Sequence, residues 1–102
     1  METIEKWSMA NGIHELSDWT IITNRGLDPV YINLAAQRAL NVKSVIDWKE
    51  SELLVKIIEN IKKSTTHYHS FKNGGREYFS YYELIIDRNL KNYFRVVISP
   101  IA

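Results

Sequence analysis

Two histidines, His67 and His69, stand two residues apart in Thr65-Thr-His-Tyr-His-Ser70. On a strand, residues i and i+2 share a face, so both imidazoles point the same way. Such a pair is half of a transition-metal site, and Glu77 or Glu83 could supply a further ligand from a neighbouring strand. The sequence fixes no third ligand, however, and polar side chains on an edge strand need no metal to explain them. We read the pair as half-exposed edge residues and keep a small metal-dependent enzyme using His67 and His69 as the competing class. His14 reads as an exposed residue of the N-terminal segment rather than a catalytic base. The chain has no cysteine, which excludes disulfides, thiolate catalysis and Cys-ligated zinc or iron–sulfur clusters. A G-x-S-x-G elbow and a Gly-rich phosphate loop are both missing, so we assign no catalytic residue and read the chain as not an enzyme.

Charge narrows the partners. Lys+Arg 13 against Asp+Glu 12 leaves +1, and the basic residues fall as Lys62-Lys63 and Lys72/Arg76, without a stripe. This domain is therefore not expected to touch nucleic acid. Hydrophobic residues at 45% and charged residues at 25% are those of a folded globular chain, and 102 residues make one domain. No apolar run reaches the roughly 20 residues of a membrane helix. The acidic start is not a secretory signal. A cytoplasmic domain without a membrane partner is the base reading.

The elements that position these residues follow from local patterns. Glu2 to Ala10 makes two helical turns with Ile4 and Trp7 on one face, and Gly12 interrupts them. Trp19 to Thr23 is a short β-branched strand. Asn24 to Pro29 is dense in turn residues, and Val30-Tyr-Ile32 is a second strand. Asn33 is a good N-cap for Leu34–Leu40, and Asn41 tolerates the left-handed conformation that ends a helix. Asp47 or Ser51 starts a longer helix, Asp47 with Glu50 having capping-box spacing. Leu53, Leu54, Ile57, Ile58 and Ile61 form its apolar stripe. Three strands follow, Thr65 to Lys72, Arg76 to Ile86 and Tyr93 to Ile101. The turn Asn73-Gly-Gly75 joins the first two, and the looser Asp87 to Asn92 joins the last.

This order, with the run Pro29-Val-Tyr-Ile-Asn33-Leu-Ala-Ala-Gln-Arg-Ala-Leu40-Asn41-Val42, resembles a PAS domain over about residues 13 to 101. Phe71-Lys-Asn-Gly-Gly-Arg-Glu-Tyr-Phe79 is similar to the family's turn between its third and fourth strands, and Val96-Val-Ile-Ser-Pro-Ile101 to its last strand. Asn41 stands where the family often has Gly. The resemblance implies an α+β fold, a five-stranded antiparallel sheet ordered 2-1-5-4-3 with helices on one face. Residues 1–12 would be a flanking helix and residues 13–102 the PAS domain. It also implies a sensory or interaction module of a larger bacterial signal-transduction protein, most readily a transcriptional regulator. A sensor histidine kinase is the alternative. The final strand is where such domains run on into a signalling helix, so we expect a fragment of a larger regulator.

The family's chemistries can be tested by residue type. Cysteinyl-flavin photochemistry and cysteine-linked chromophores both need the absent thiol. Ser51 to Lys63 contains no His for an axial haem ligand. The cofactor is thus unknown, with non-covalent flavin or a small organic ligand open. On the last strand Phe94, Val96 and Ile98 share one face and should meet the helices, with Tyr93, Arg95 and Val97 on the other. A ligand pocket would lie between the long helix and the sheet, near Trp48, Leu54, Ile57, Ile58, Tyr68, Tyr82, Phe94 and Val96, with a Tyr hydroxyl as its polar handle. A one-residue slip in register would exchange Tyr82 for Tyr81. In so small a domain a filled or nearly filled core is the preferred reading. Ile4 and Trp7 sit on a helix too short to persist alone. We expect them to pack on the helix-free face, with Tyr93, Val97 and Trp19, and to build a homodimer there.

Overall fold

The computed structural model describes residues 3–63, 68–85 and 92–101. Five strands form one antiparallel sheet: β1 Trp19–Asn24, β2 Pro29–Ile32, β3 Tyr68–Asn73, β4 Arg76–Leu84 and β5 Tyr93–Pro100. Their order across the sheet is β2-β1-β5-β4-β3, as the resemblance implied. Three α-helices accompany them, α1 Ile4–Ala10, α2 Leu34–Leu40 and α3 Glu52–Lys63. Thr65, Thr66, His67 and most of the Asp87–Asn92 turn lie outside the described residues.

Local signals act where they were read. Asn33 caps α2 by accepting from the Ala36 N–H, and Asn41 ends it at φ 54°, ψ 46° in the left-handed region. Gly74 and Gly75, at φ 62° and 78°, make the two-residue turn between β3 and β4. Positive φ at both central positions gives that turn the twist a hairpin needs. The start of α3 is a correction. Asp47 does not begin it, because Val45–Glu50 is a separate 3₁₀ stretch capped by the Ser44 side chain, with Asp47 itself outside helical geometry. Ser51 is extended, and its hydroxyl accepts from the Leu54 N–H at 3.2 Å, so the helix begins at Glu52. Capping-box spacing at Asp47 and Glu50 therefore describes a 3₁₀ turn that Ser51 breaks.

The sheet is packed on both faces. Towards α2 and α3, Ile21, Ile32, Val96 and Ile98 meet Ala36, Leu40, Leu54, Ile57, Ile58 and Ile61 in one buried cluster. The apolar stripe of α3 thus lies against the β1–β5 centre of the sheet. A second cluster lies on the other face, where Ile13, Ile22, Tyr31 and Ile85 are buried with Ile4, Trp7, Val30 and Tyr93 against them. Helix α1 spends its apolar pair on its own sheet, which is what holds so short a helix in place. No helix among the described residues is long and apolar enough to cross a membrane.

Candidate functional site

Strand register decides which side chains share a face. Tyr82 lies opposite Val96 and Leu84 opposite Phe94, so Tyr82 points to the helix side with Val96 and Phe94. The Tyr82 and Phe94 rings meet edge to face, with centroids 5.4 Å apart at 86°, and the Arg25 guanidinium lies 5.5 Å from the Phe94 centroid. Trp48 is half-buried against the same core as Leu54, Ile57 and Ile58. Seven of the eight residues expected around a pocket therefore stand on the α3 side.

Tyr68 does not. It lies opposite Tyr81, and its ring stacks on Phe79 at 5.9 Å and 22°, on the face away from α3. It is also 62% exposed. The helix-side aromatic of β3 is Phe71, stacked on Tyr78 at 5.4 Å and 17°. The physical reason is the two-residue turn, which fixes the parity of β3 against β4.

A cleft of about 450 Å³ flanks α3, between the end of α2, the start of α3 and β3, with Leu40, Asn41, Ser51, Leu53, Lys56 and Phe71 among its walls. Ile57 is the member of the expected set that reaches it. Between α3 and the sheet itself, Leu54, Ile58, Val96 and Ile98 are at most 1% exposed and in mutual contact.

On the opposite face, His14 is half-buried rather than exposed, which corrects the sequence reading. Its Nδ1 hydrogen-bonds the Tyr31 hydroxyl at 2.6 Å. Burial, and then the Glu5 carboxylate, push the Tyr31 hydroxyl above its ordinary pKa of 10.0. The 3₁₀ turn Ile13–Glu15, entered through Gly12 at φ 71°, brings His14 to Tyr31. Local pattern could not reveal this contact, because it depends on how residues 13–18 cross the sheet.

Beside α1 a second cleft, of about 290 Å³, is lined by Trp7, Asn11, Ile13, Glu83, Ile85 and Arg95 among others. The Arg95 Nε is buried and meets no acceptor. Alternation along the last strand already places Arg95 on this face, but sequence alone assigns it no role. Of the residues expected between two copies, Ile4, Trp7 and Tyr93 are half-buried within their own chain, and Val97 is 3% exposed. Trp19 lies on the other face, 4.9 Å from Tyr78, because it shares parity with Ile21. This is a further correction. His67 lies outside the described residues, and so does the side chain of His69. Among the described residues no three His, Asp or Glu side chains gather as a metal site would require.

No protein-family model matches the chain, and no curated protein does. Solved structures do. A domain of an HTR-like protein from Haloarcula marismortui is 16% identical, with a TM-score of 0.55 over 85% of this chain and 100% of its own. The PAS domain of a protein from Desulfitobacterium hafniense is 13% identical, with a TM-score of 0.52 over 89% and 99%. A PAS domain from a two-component sensor histidine kinase is 9% identical, with a TM-score of 0.53 over 98% and 100%. With strand order, helix placement and these likenesses in agreement, the fold of the chain is that of a PAS domain.

Proposed function

We propose that the chain is a non-catalytic sensory or interaction module of a cytoplasmic signal-transduction protein. The observation that carries this reading is the 2-1-5-4-3 sheet with α3 laid across its centre, an architecture shared with a PAS domain of a two-component sensor histidine kinase. In such an arrangement the α3–sheet core is where a bound molecule and the fold act on each other. Displacing Leu54 or Ile58 moves α3 against β5, because tightly packed cores respond to volume changes as units. A transcriptional regulator and a sensor kinase are equally compatible parents. Self-association belongs to the same proposal: α1 covers the half of the sheet carrying Ile22 and Ile85, and Tyr68, Phe79 and Tyr81 line the other half.

Analysis of small molecules released from the natively purified protein tests the sensory part, and sedimentation at tens of micromolar tests the interaction part. A stoichiometric organic ligand, or a dimer, supports the reading. Stoichiometric metal that disappears in His67→Ala overturns it in favour of the metal-dependent enzyme. A monomer carrying no small molecule leaves neither half of it standing.

A further inference from the structure

The 290 Å³ cleft between α1 and the sheet sets apolar side chains beside Arg95, whose buried Nε meets no acceptor. Ile13 and Ile85 form its floor at 2% and 6% exposure, while Trp7 and Leu84 border it. Arg95 reaches it from β5 and is partly exposed, yet its Nε–H is shielded from water and bonds to nothing. A buried, unpaired donor on a charged group is destabilising, so an acceptor supplied from outside is stabilising. Glu83, directly across from Arg95 on β4, is exposed and keeps its own hydration.

We propose that this cleft binds a small amphipathic carboxylate, its carboxylate on the Arg95 guanidinium and its apolar body against Trp7, Ile13 and Ile85. The guanidinium turns into the cleft to present Nε and a terminal nitrogen to the two carboxylate oxygens, the planar fork for which arginine is suited. The charge balance selects a monoanion: one arginine beside one glutamate does not hold a phosphate dianion. The volume selects a small molecule over a peptide, and the apolar walls select an aromatic or branched acid over acetate. The site lies on the face of the sheet away from α3 and stands independently of the sensory reading.

Benzoate, benzamide and benzylamine titrated into the full chain, followed by NMR at the Trp7 indole and the Ile85 and Arg95 amides, test this site. Benzoate should give saturable shifts at those groups, with benzamide at least about tenfold weaker and benzylamine weaker still. Arg95→Gln should abolish the difference between benzoate and benzamide. Glu83→Gln, by removing a like charge beside the bound carboxylate, should tighten benzoate about threefold or more. Equal affinity for benzoate and benzamide, shifts confined to the α3 side, or unchanged benzoate binding in Arg95→Gln each overturns the proposal. Should Arg95→Gln not fold, the benzoate–benzamide comparison and Glu83→Gln still decide it. Its failure leaves the sensory reading untouched, because released-ligand analysis examines that reading separately.

Discussion

The side-chain carbonyl of Asn33 accepts the backbone N–H of Thr20 at 3.0 Å, and the backbone N–H of Asn33 donates to the Thr20 carbonyl at 2.9 Å. Asn33 is fully buried, and the same carbonyl oxygen also caps α2 through Ala36. Its amide nitrogen donates to the carbonyls of Ile13, Leu16 and Asp18 at 2.9–3.2 Å. One side chain thus ties the N-terminal approach, the first strand and the first helix of the domain together.

Asn33→Ala removes a helix cap, worth about 1 kcal/mol, and leaves the buried Thr20 N–H without its acceptor at about 1–3 kcal/mol. The expected loss is about 2–4 kcal/mol in urea unfolding, a large share of a small domain's stability. Asn33→Asp keeps the cap and the Thr20 bond but loses the donors, so its loss should also be large. If Asn33→Asp unfolds with the native midpoint, the three carbonyls contribute nothing.

Ser8 offers the opposite case. It is fully buried on α1, and its Oγ has no hydrogen-bond partner. Ser8→Ala removes an unsatisfied hydroxyl and improves helix propensity, so it should stabilise the protein by about 1 kcal/mol. The urea midpoint should rise with an unchanged slope. A lower midpoint would mean that the hydroxyl is satisfied.

The parts of the fold legible in the sequence are those governed within a few residues. Asn33 as a cap, Asn41 as a left-handed stop, Gly74-Gly75 as a turn and the stripe of α3 each follow from local chemistry. What Asn33 does beyond α2 was hidden, because its other partners are backbone groups and carry no residue-type signal. The hidden position of Arg95 has a related cause, since its surroundings depend on where α1 docks. Tyr68 differs. Counting back from the turn pair Asn73–Arg76 places Tyr68 opposite Tyr81, so grouping it with Tyr82 contradicts the turn already recognised.

That correction has its own test. Phe71 packs against the core on the α3 side, whereas Tyr68 is mostly exposed on the other face. Phe71→Ala should cost about 2–3 kcal/mol, below the range for a fully buried Phe because the ring is half-covered. Tyr68→Ala should cost about 1 kcal/mol, the value of its stacking on Phe79 and Tyr81. The reverse ranking in urea unfolding would place β3 one residue out of register.

Alkaline stability should report on Tyr31. Burial, with Glu5 second, raises its hydroxyl above 10.0 in the folded protein, while the unfolded chain titrates at the ordinary value. Between those two values the folded state holds the proton and the unfolded state has released it. Stability therefore falls as pH rises through that window. Below pH 10.0 this contribution is fully present and pH-independent. Tyr31→Phe removes both the titration and the 2.6 Å bond to His14, so it should be less stable than the native protein at pH 8. Raising the pH from 9 to 11 should then cost Tyr31→Phe less than the native protein. Every other ionisable side chain is common to both proteins, so the difference in urea midpoint shift isolates Tyr31. Glu5→Gln should shrink the native loss in the same direction while keeping the His14 bond. Parallel curves for native protein and Tyr31→Phe from pH 9 to 11 would show that the Tyr31 hydroxyl titrates alike folded and unfolded, and that α1 does not shield it.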